Sequence, residues 1–203
     1  MMSNVGLLYV GAVLFVNGLM LLNRVDGKSA AIFNLFIGAL QVITPLYLIM
    51  TSQGDTAVIL NASGIFLFGF TYLYVGLTNL LDLNTSGLGY YCLWVCILAI
   101  GFSLLNFTQF ADVKFGIIWA MWSYLWLLFF LLLGLGMDIG QYVGKVTLVQ
   151  SWITATLPAF LSLVGEWNSL SDPLVYGIAI LSVVYFIAAG IRKGKNQTVG
   201  NAA

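Results

Sequence analysis

Histidine is absent from this 203-residue chain, and charge is scarce: seven basic and seven acidic residues make up 7% of the sequence. So few charges cannot solvate a globular surface, and 61% of the residues are hydrophobic, which predicts an integral membrane protein. The near-zero net charge gives no argument for a nucleic-acid partner. With no histidine, no metal site is predicted, and Cys92 and Cys96 are expected to be packing residues without a disulfide.

The long apolar runs also lack ionisable side chains in their interiors. Proton relays, ion-coupled transporters and charged-ligand sites normally keep at least one such group inside the membrane. Its absence favours an uncharged permeant. It also removes the usual general acids, bases and nucleophiles, so we expect neither an enzyme nor a cofactor.

Seven apolar spans are present instead, each bounded by charges and turn residues. A loose likeness among the first, third and fifth spans predicts three helical hairpins followed by one extra helix. We therefore expect an all-α bundle of seven transmembrane helices in one domain, 1–203, with a six-helix core over 1–167, a seventh helix over 174–191 and a short tail over 192–203. The predicted spans are 5–23, 30–50, 58–81, 88–110, 115–136, 146–165 and 174–191.

Basic residues predict the orientation, because cytoplasmic loops retain Lys and Arg. If the N-terminus lies outside and the C-terminus inside, only Lys114 falls on the outer side. The other six basic residues then lie on the cytoplasmic side: Arg24, Lys28, Lys145, Arg192, Lys193 and Lys195.

The stretch from Phe115 to Met137 contains no charge and carries Trp119, Trp122 and Trp126. These tryptophans fall at positions i, i+3 and i+7, so they project from one helical face. Two interpretations are open. The ladder is either an interfacial belt with core filler, since tryptophan favours the headgroup region, or the wall of a polar pathway.

Polar residues form stripes on two further helices. The second span carries Asn34, Gly38, Gln41 and Pro45, and the sixth carries Thr147, Ser151, Thr154, Pro158 and Ser162. Most of these are expected to join helices, since small and hydroxyl residues allow close crossings. A pathway would then be formed mainly by ring faces, amides and hydroxyls, which suit a small, flat, neutral solute: Phe68, Tyr72, Trp119, Trp122, Trp126, Asn17, Gln41 and Gln150.

Several motifs resemble the AmiS/UreI family of urea and short-chain amide channels over roughly residues 5 to 165. The first two spans contain Leu8-Tyr9-Val10-Gly11, Asn17-Gly18 and Val25-Asp26-Gly27-Lys28-Ser29. The third contains Phe68-Gly69-Phe70-Thr71-Tyr72-Leu73-Tyr74. The fifth and sixth contain Ile117-Ile118-Trp119-Ala120-Met121-Trp122, Leu125-Trp126, Thr154-Ala155 and Leu157-Pro158-Ala159.

This resemblance implies a pore through the six-helix core of each protomer and a homohexamer in the lipid bilayer. It implies that aromatic and aliphatic residues form two constrictions with Asn17 nearby, and it favours the pore-wall interpretation of the ladder. The predicted pore-lining residues are Leu7, Val10, Leu14, Asn17, Phe68, Tyr72, Trp119, Trp122, Leu125, Trp126 and Gln150.

Two departures separate the chain from the acid-gated members of that family. Those members carry histidines and long acidic outer loops, and Gln150 stands where they have a glutamate. The extra span 174–191 resembles the amidase-linked branch. The sequence therefore predicts a passive, pH-independent channel for urea or short amides in a bacterial inner membrane, feeding a cytoplasmic urease or amidase. The alternatives are an alternating-access transporter for a small neutral solute and a structural membrane subunit.

Overall fold

The computed structural model describes the backbone of residues 2–200 and the side chains of residues 2–191. Seven helices in this part of the chain are long and apolar enough to cross a membrane, and no strand occurs in it. The predicted all-α class with seven helices is confirmed. The helices are α1 Met2–Leu21, α2 Gly27–Thr51, α3 Thr56–Leu80, α4 Ser86–Thr108, α5 Val113–Gly134, α6 Gly140–Leu163 and α7 Asp172–Gly200.

Aspartates begin three of the helices, because a carboxylate satisfies N–H groups that have no partner within the first turn. Asp26 accepts a hydrogen bond from Ser29 N at 3.0 Å, and Asp55 accepts one from Ala57 N at 2.8 Å. Asp112 accepts one from Phe115 N at 3.0 Å. These three acids, which precede apolar runs in the sequence, therefore cap the helices that follow them.

The closest helix packing joins α2 with α3, α4 with α5, and α1 with α6. Helices α1 and α2 also pack on each other, as do α3 with α4 and α5 with α6, although less extensively. Glycines permit the close packing: a Cβ on Gly38 would lie 2.7 Å from the Leu73 backbone, and one on Gly89 would collide with the Gly134 backbone. The six helices enclose a line of cavities.

Several helix ends differ from the predicted spans. Helix α5 stops at Gly134, two residues before the predicted end at 136, since Gly136 takes a left-handed φ of 66° that turns the chain. Helix α6 begins at Gly140, so Lys145 lies within the helix and not in a loop. A lysine near a helix end is tolerated because its long side chain can extend towards water.

Helix α7 packs loosely on the outside of α5 and α6, since only 11% of its 18-residue apolar stretch is buried. Phe186 stacks on Tyr124 with ring centroids 6.1 Å apart. The helix runs past the predicted end at residue 191 to Gly200. In the predicted tail over 192–203, the side chains and the last three residues lie outside the described part of the chain.

Lys114, the one basic residue predicted on the outer side, is enclosed by the connection between α6 and α7. Its Nζ donates to the carbonyl oxygens of Leu170 at 2.6 Å and Trp167 at 3.2 Å, and Asp172 Oδ1 lies 3.9 Å away. These contacts stabilise the ammonium group and attach the start of α7 to α5.

Candidate functional site: three cavities along the bundle

A cavity of about 530 Å³ opens at the end of the bundle where α1 begins; we call it the wide cavity. Its walls come from α1, α2, α3, α4 and α5. Leu7, Val10, Phe68, Trp119 and Trp122 lie in its apolar part. Amide and hydroxyl groups and one carboxylate line it as well, from Ser3, Asn4, Gln41, Asn61, Asn106 and Asp112.

A second space of about 30 Å³, the narrow chamber, lies deeper in the bundle. Phe68 and Trp122 line both spaces, so these two rings form the division between them. No charged side chain lines the chamber, whose wall residues are Leu14, Asn17, Phe68, Thr71, Tyr72, Val75, Cys92, Trp122, Leu125, Trp126, Phe129 and Leu133.

A third space of about 450 Å³, the charged cavity, follows at the opposite end of the bundle. Its lining includes Asp26, Lys28, Asp82, Thr78 and Asn79. Lys28 Nζ and Asp82 Oδ2 form an exposed ion pair at 2.8 Å. Thr85, also in this lining, donates to the carbonyl of Leu133 in the chamber wall at 3.3 Å, so the two spaces are adjacent.

One face of α3 runs the whole length of this series. Asn61 and Phe68 face the wide cavity, Phe68 and Tyr72 the chamber, and Thr78 and Asp82 the charged cavity. With Ile65, which lines the wide cavity, and Val75, which lines the chamber, the residues from Asn61 to Thr78 follow one another at spacings of three and four, which places them in one stripe. Asp82 lies just beyond the end of α3. A single helix therefore lines a path from one end of the bundle to the other.

Aromatic rings close around the division between the wide cavity and the chamber. The Phe68 ring lies 4.7 Å from that of Trp122, edge to face, and 4.8 Å from that of Trp126. Trp119 stacks on Phe102 at 4.6 Å and meets Trp122 edge to face at 5.0 Å. Such offset and edge-to-face arrangements are favourable, so the ring positions are well defined.

The three ladder tryptophans are 9%, 4% and 5% exposed, respectively, which does not fit an interfacial belt. Trp122 Nε1–H donates to Thr154 Oγ1 at 2.9 Å, and Thr154 Oγ1–H donates to the Gln150 carbonyl at 2.6 Å. Neither Trp126 Nε1–H nor the Tyr72 hydroxyl donates to another described residue. Trp122 therefore presents its ring to the path, while Trp126 and Tyr72 retain donors that can meet a solute.

Asn17 reaches the chamber as half of a reciprocal amide pair. Its Nδ2 donates to Asn34 Oδ1 at 2.9 Å, and Asn34 Nδ2 donates to Asn17 Oδ1 at 2.7 Å. Asn34 also donates to the Ala30 carbonyl at 2.9 Å, and both side chains are buried. The pair joins α1 to α2 and holds one amide plane at the chamber wall.

All of the predicted pore-lining residues except Gln150 line the wide cavity or the chamber. Gln150 is fully buried, and its Nε2 donates to the Met121 carbonyl at 3.0 Å, which joins α6 to α5. Other lining residues were not among the predicted ones. Asn61 precedes Phe68 by seven positions, a helical spacing that could have identified it, whereas no pattern distinguished Asn106.

The two cysteines are free and buried, and Cys96 lies against Ser123 with 3.3 Å between Sγ and Oγ. The described residues contain no group of three or more His, Cys, Asp or Glu side chains that could hold a metal ion. The narrow chamber is lined by ring faces, aliphatic side chains, an amide and a hydroxyl, together with the free Cys92 thiol.

Comparison with known proteins places this arrangement among membrane transporters. Residues 2–166 match the model of the AmiS/UreI family transporters. The chain is 50% identical over 169 residues, 83% of its length and 82% of the relative's, to a Rhodococcus erythropolis protein named as the transporter AmiS2. It is 49% identical over 188 residues, 92% and 86% of the two lengths, to a Mycolicibacterium smegmatis protein named as a transporter of amidate substrates.

The fold has a solved counterpart. The cryo-EM structure of the Helicobacter pylori urea channel in a closed state superposes with a TM-score of 0.75 at 28% sequence identity. The match covers 81% of this chain and 99% of that one. The helices that enclose the three cavities therefore form a known transmembrane architecture.

Proposed function

This chain belongs to the AmiS/UreI family of transporters, and we propose that it is a passive channel that conducts urea and short aliphatic amides across the bacterial inner membrane. The observation that carries the proposal is the series of wide cavity, narrow chamber and charged cavity that follow one another along α3. Two relatives named for amidate substrates and for urea support the solute class.

The chamber supports selection for a small, flat, neutral solute. No charged wall group of the chamber replaces the water shell that an ion would lose on entry, whereas a neutral amide loses much less on desolvation. The Trp126 indole N–H and the Tyr72 hydroxyl can donate to a carbonyl oxygen, while the Asn17 amide offers an acceptor to an N–H group. Ring faces cover the flat sides of the solute.

Passive conduction is tested by the concentration dependence of flux. Purified protein in proteoliposomes is mixed with urea or acetamide in a stopped-flow instrument, and the rate of solute entry is measured. We expect entry that stays linear to high concentration and no stimulation by solute preloaded inside. Saturable entry stimulated by preloaded solute would instead identify an alternating-access transporter, and no flux of either solute would contradict transport of this class.

We further propose a homohexamer with the N-terminus outside and the C-terminus inside, feeding a cytoplasmic urease or amidase. The orientation is supported by Arg24, Lys28 and Lys145 near the charged-cavity end, and by the internal contacts that hold Lys114 at the other end. Native mass spectrometry in mild detergent tests the assembly, and a spectrum of monomers alone would contradict it. Labelling of single cysteines introduced at residues 24 and 53 in intact cells tests the orientation.

A further inference from the structure

Trp122 stands at the division between the wide cavity and the chamber, and the only hydrogen bond of its indole among the described residues goes to helix α6. We propose that Thr154 is a positioning residue that holds the Trp122 ring in place, and that this contact sets the size limit for permeating amides. The inference rests on the proposed channel function for its solute class, but not for the contact itself.

The local structure of α6 explains how Thr154 reaches Trp122. Residues Ser151–Thr156 form a π-helical turn within the helix. Pro158 lies two residues after this turn and lacks the N–H that would bond the Thr154 carbonyl in a regular helix, which accounts for the altered turn. Short π-helical segments widen a helix locally and occur often at functional sites.

Contacts within α6 and with α1 and α5 fix the position of this turn. Thr156 Oγ1 donates to the Ser151 carbonyl at 2.8 Å, and a Cβ on Gly11 of α1 would collide with the Thr156 side chain. On the α5 side, Gln150 bonds the carbonyl of Met121, which is the residue before Trp122. The Thr154 hydroxyl therefore has little freedom to move, and it transmits that constraint to the indole.

Thr154 has a matched control in the same helix. Thr147 is likewise fully buried, and its Oγ1 donates to the carbonyl four residues earlier, Val143, at 2.8 Å. Thr154 makes the same bond to Gln150. The two threonines differ in one respect that matters here, since only Thr154 also accepts a hydrogen bond from a tryptophan. Valine has nearly the shape of threonine without its hydroxyl, so Thr154→Val and Thr147→Val remove equivalent bonds to the backbone.

The experiment measures the permeability of urea, acetamide and propionamide in proteoliposomes for wild type, Thr154→Val, Thr154→Ser and Thr147→Val. We expect Thr154→Val to raise the ratio of propionamide to urea permeability several-fold, because the released ring no longer holds one position. Thr154→Ser keeps the hydroxyl and should stay within about twofold of wild type, as should Thr147→Val. An unchanged ratio in Thr154→Val, or an equal rise in Thr147→Val, would overturn the proposal.

A spectroscopic measurement separates the contact from the channel function. Protein labelled with ¹⁵N on tryptophan gives one indole signal for each of the six tryptophans, and Trp122→Phe identifies the relevant one. That signal should shift in Thr154→Val and stay in place in Thr154→Ser and Thr147→Val. If it stays in place in Thr154→Val, the positioning role is wrong. If wild type conducts no amide while the signal shifts as expected, the contact is correct and the proposed solute class is not.

Discussion

At the scale of single residues, Phe68 and the tryptophans around it determine the width of the path. Phe68 contacts Trp119, Trp122 and Trp126, with ring centroids between 4.7 and 6.0 Å apart. Each ring is therefore held by its neighbours, and removal of one changes the space available to a solute. Aromatic pairs of this kind contribute about 0.5–1.5 kcal/mol beyond the burial of their area.

Replacement of Trp126 by alanine should alter selectivity, because the indole lines the chamber and carries a donor that meets no other described residue. We expect the ratio of acetamide to urea permeability to change several-fold in proteoliposomes. Trp94→Ala is the matched control, since Trp94 is also a transmembrane tryptophan but is 54% exposed on the outer surface of α4. Equal effects of the two substitutions would contradict a role for Trp126 in the chamber wall.

The residues of the path could be predicted from helical spacing and from the family motifs. Phe68, Tyr72 and the ladder are regularly spaced on their helices, and spacing fixes the face on which a side chain lies. Helical spacing does not determine the surroundings of Gln150, because the sequence does not reveal which partner a polar side chain bonds. The Asn17–Asn34 hydrogen bonds could not be predicted for the same reason, since the two residues come from different helices.

At the scale of helices, the bundle depends on glycines where two backbones meet. Gly89 of α4 faces the Gly134 backbone at the end of α5, and an added Cβ would collide with it. Gly101 lies on the same helix with nothing within 4 Å of its added Cβ. One helix thus offers a crowded glycine and an open one.

Gly89→Ala should destabilise the protein by about 1–3 kcal/mol, because backbone atoms cannot move aside as a flexible side chain can. Gly101→Ala should leave stability unchanged or slightly raised, since alanine favours a helix more than glycine does. Thermal unfolding in detergent, followed by circular dichroism, measures both. Equal melting temperatures for the two variants would show that α4 and α5 do not approach as closely as described.

The number of helices was predictable, whereas their pairing was not. A run of apolar residues of sufficient length specifies a transmembrane helix on its own. Pairing depends on which faces fit closely, and in an apolar sequence every face has a similar composition. The contact between Gly11 and Thr156 joins the first and sixth helices, and no charge pattern in the sequence indicates it.

At the scale of the whole molecule, the composition predicts how flux responds to acid. Histidine is the side chain whose charge ordinarily changes between pH 5 and 8, and the sequence contains none. We expect urea and acetamide uptake by proteoliposomes to differ by less than about twofold between external pH 5 and 7.5. Liposomes without protein provide the background at each pH. A several-fold increase at pH 5 would contradict this expectation and would require a titrating carboxylate.

The Lys28–Asp82 pair determines how strongly its part of the charged cavity attracts or repels dissolved ions. The two opposite charges are 2.8 Å apart and largely exposed, so their fields nearly cancel and the surrounding electrolyte screens what remains. At physiological ionic strength this screening acts over about 8 Å. The ion pair therefore neither concentrates cations nor repels anions from the mouth of the path. In the channel that we propose, the exclusion of ions then falls to the narrow chamber, whose wall carries no charged side chain, so that a neutral amide crosses without dissipating the membrane potential.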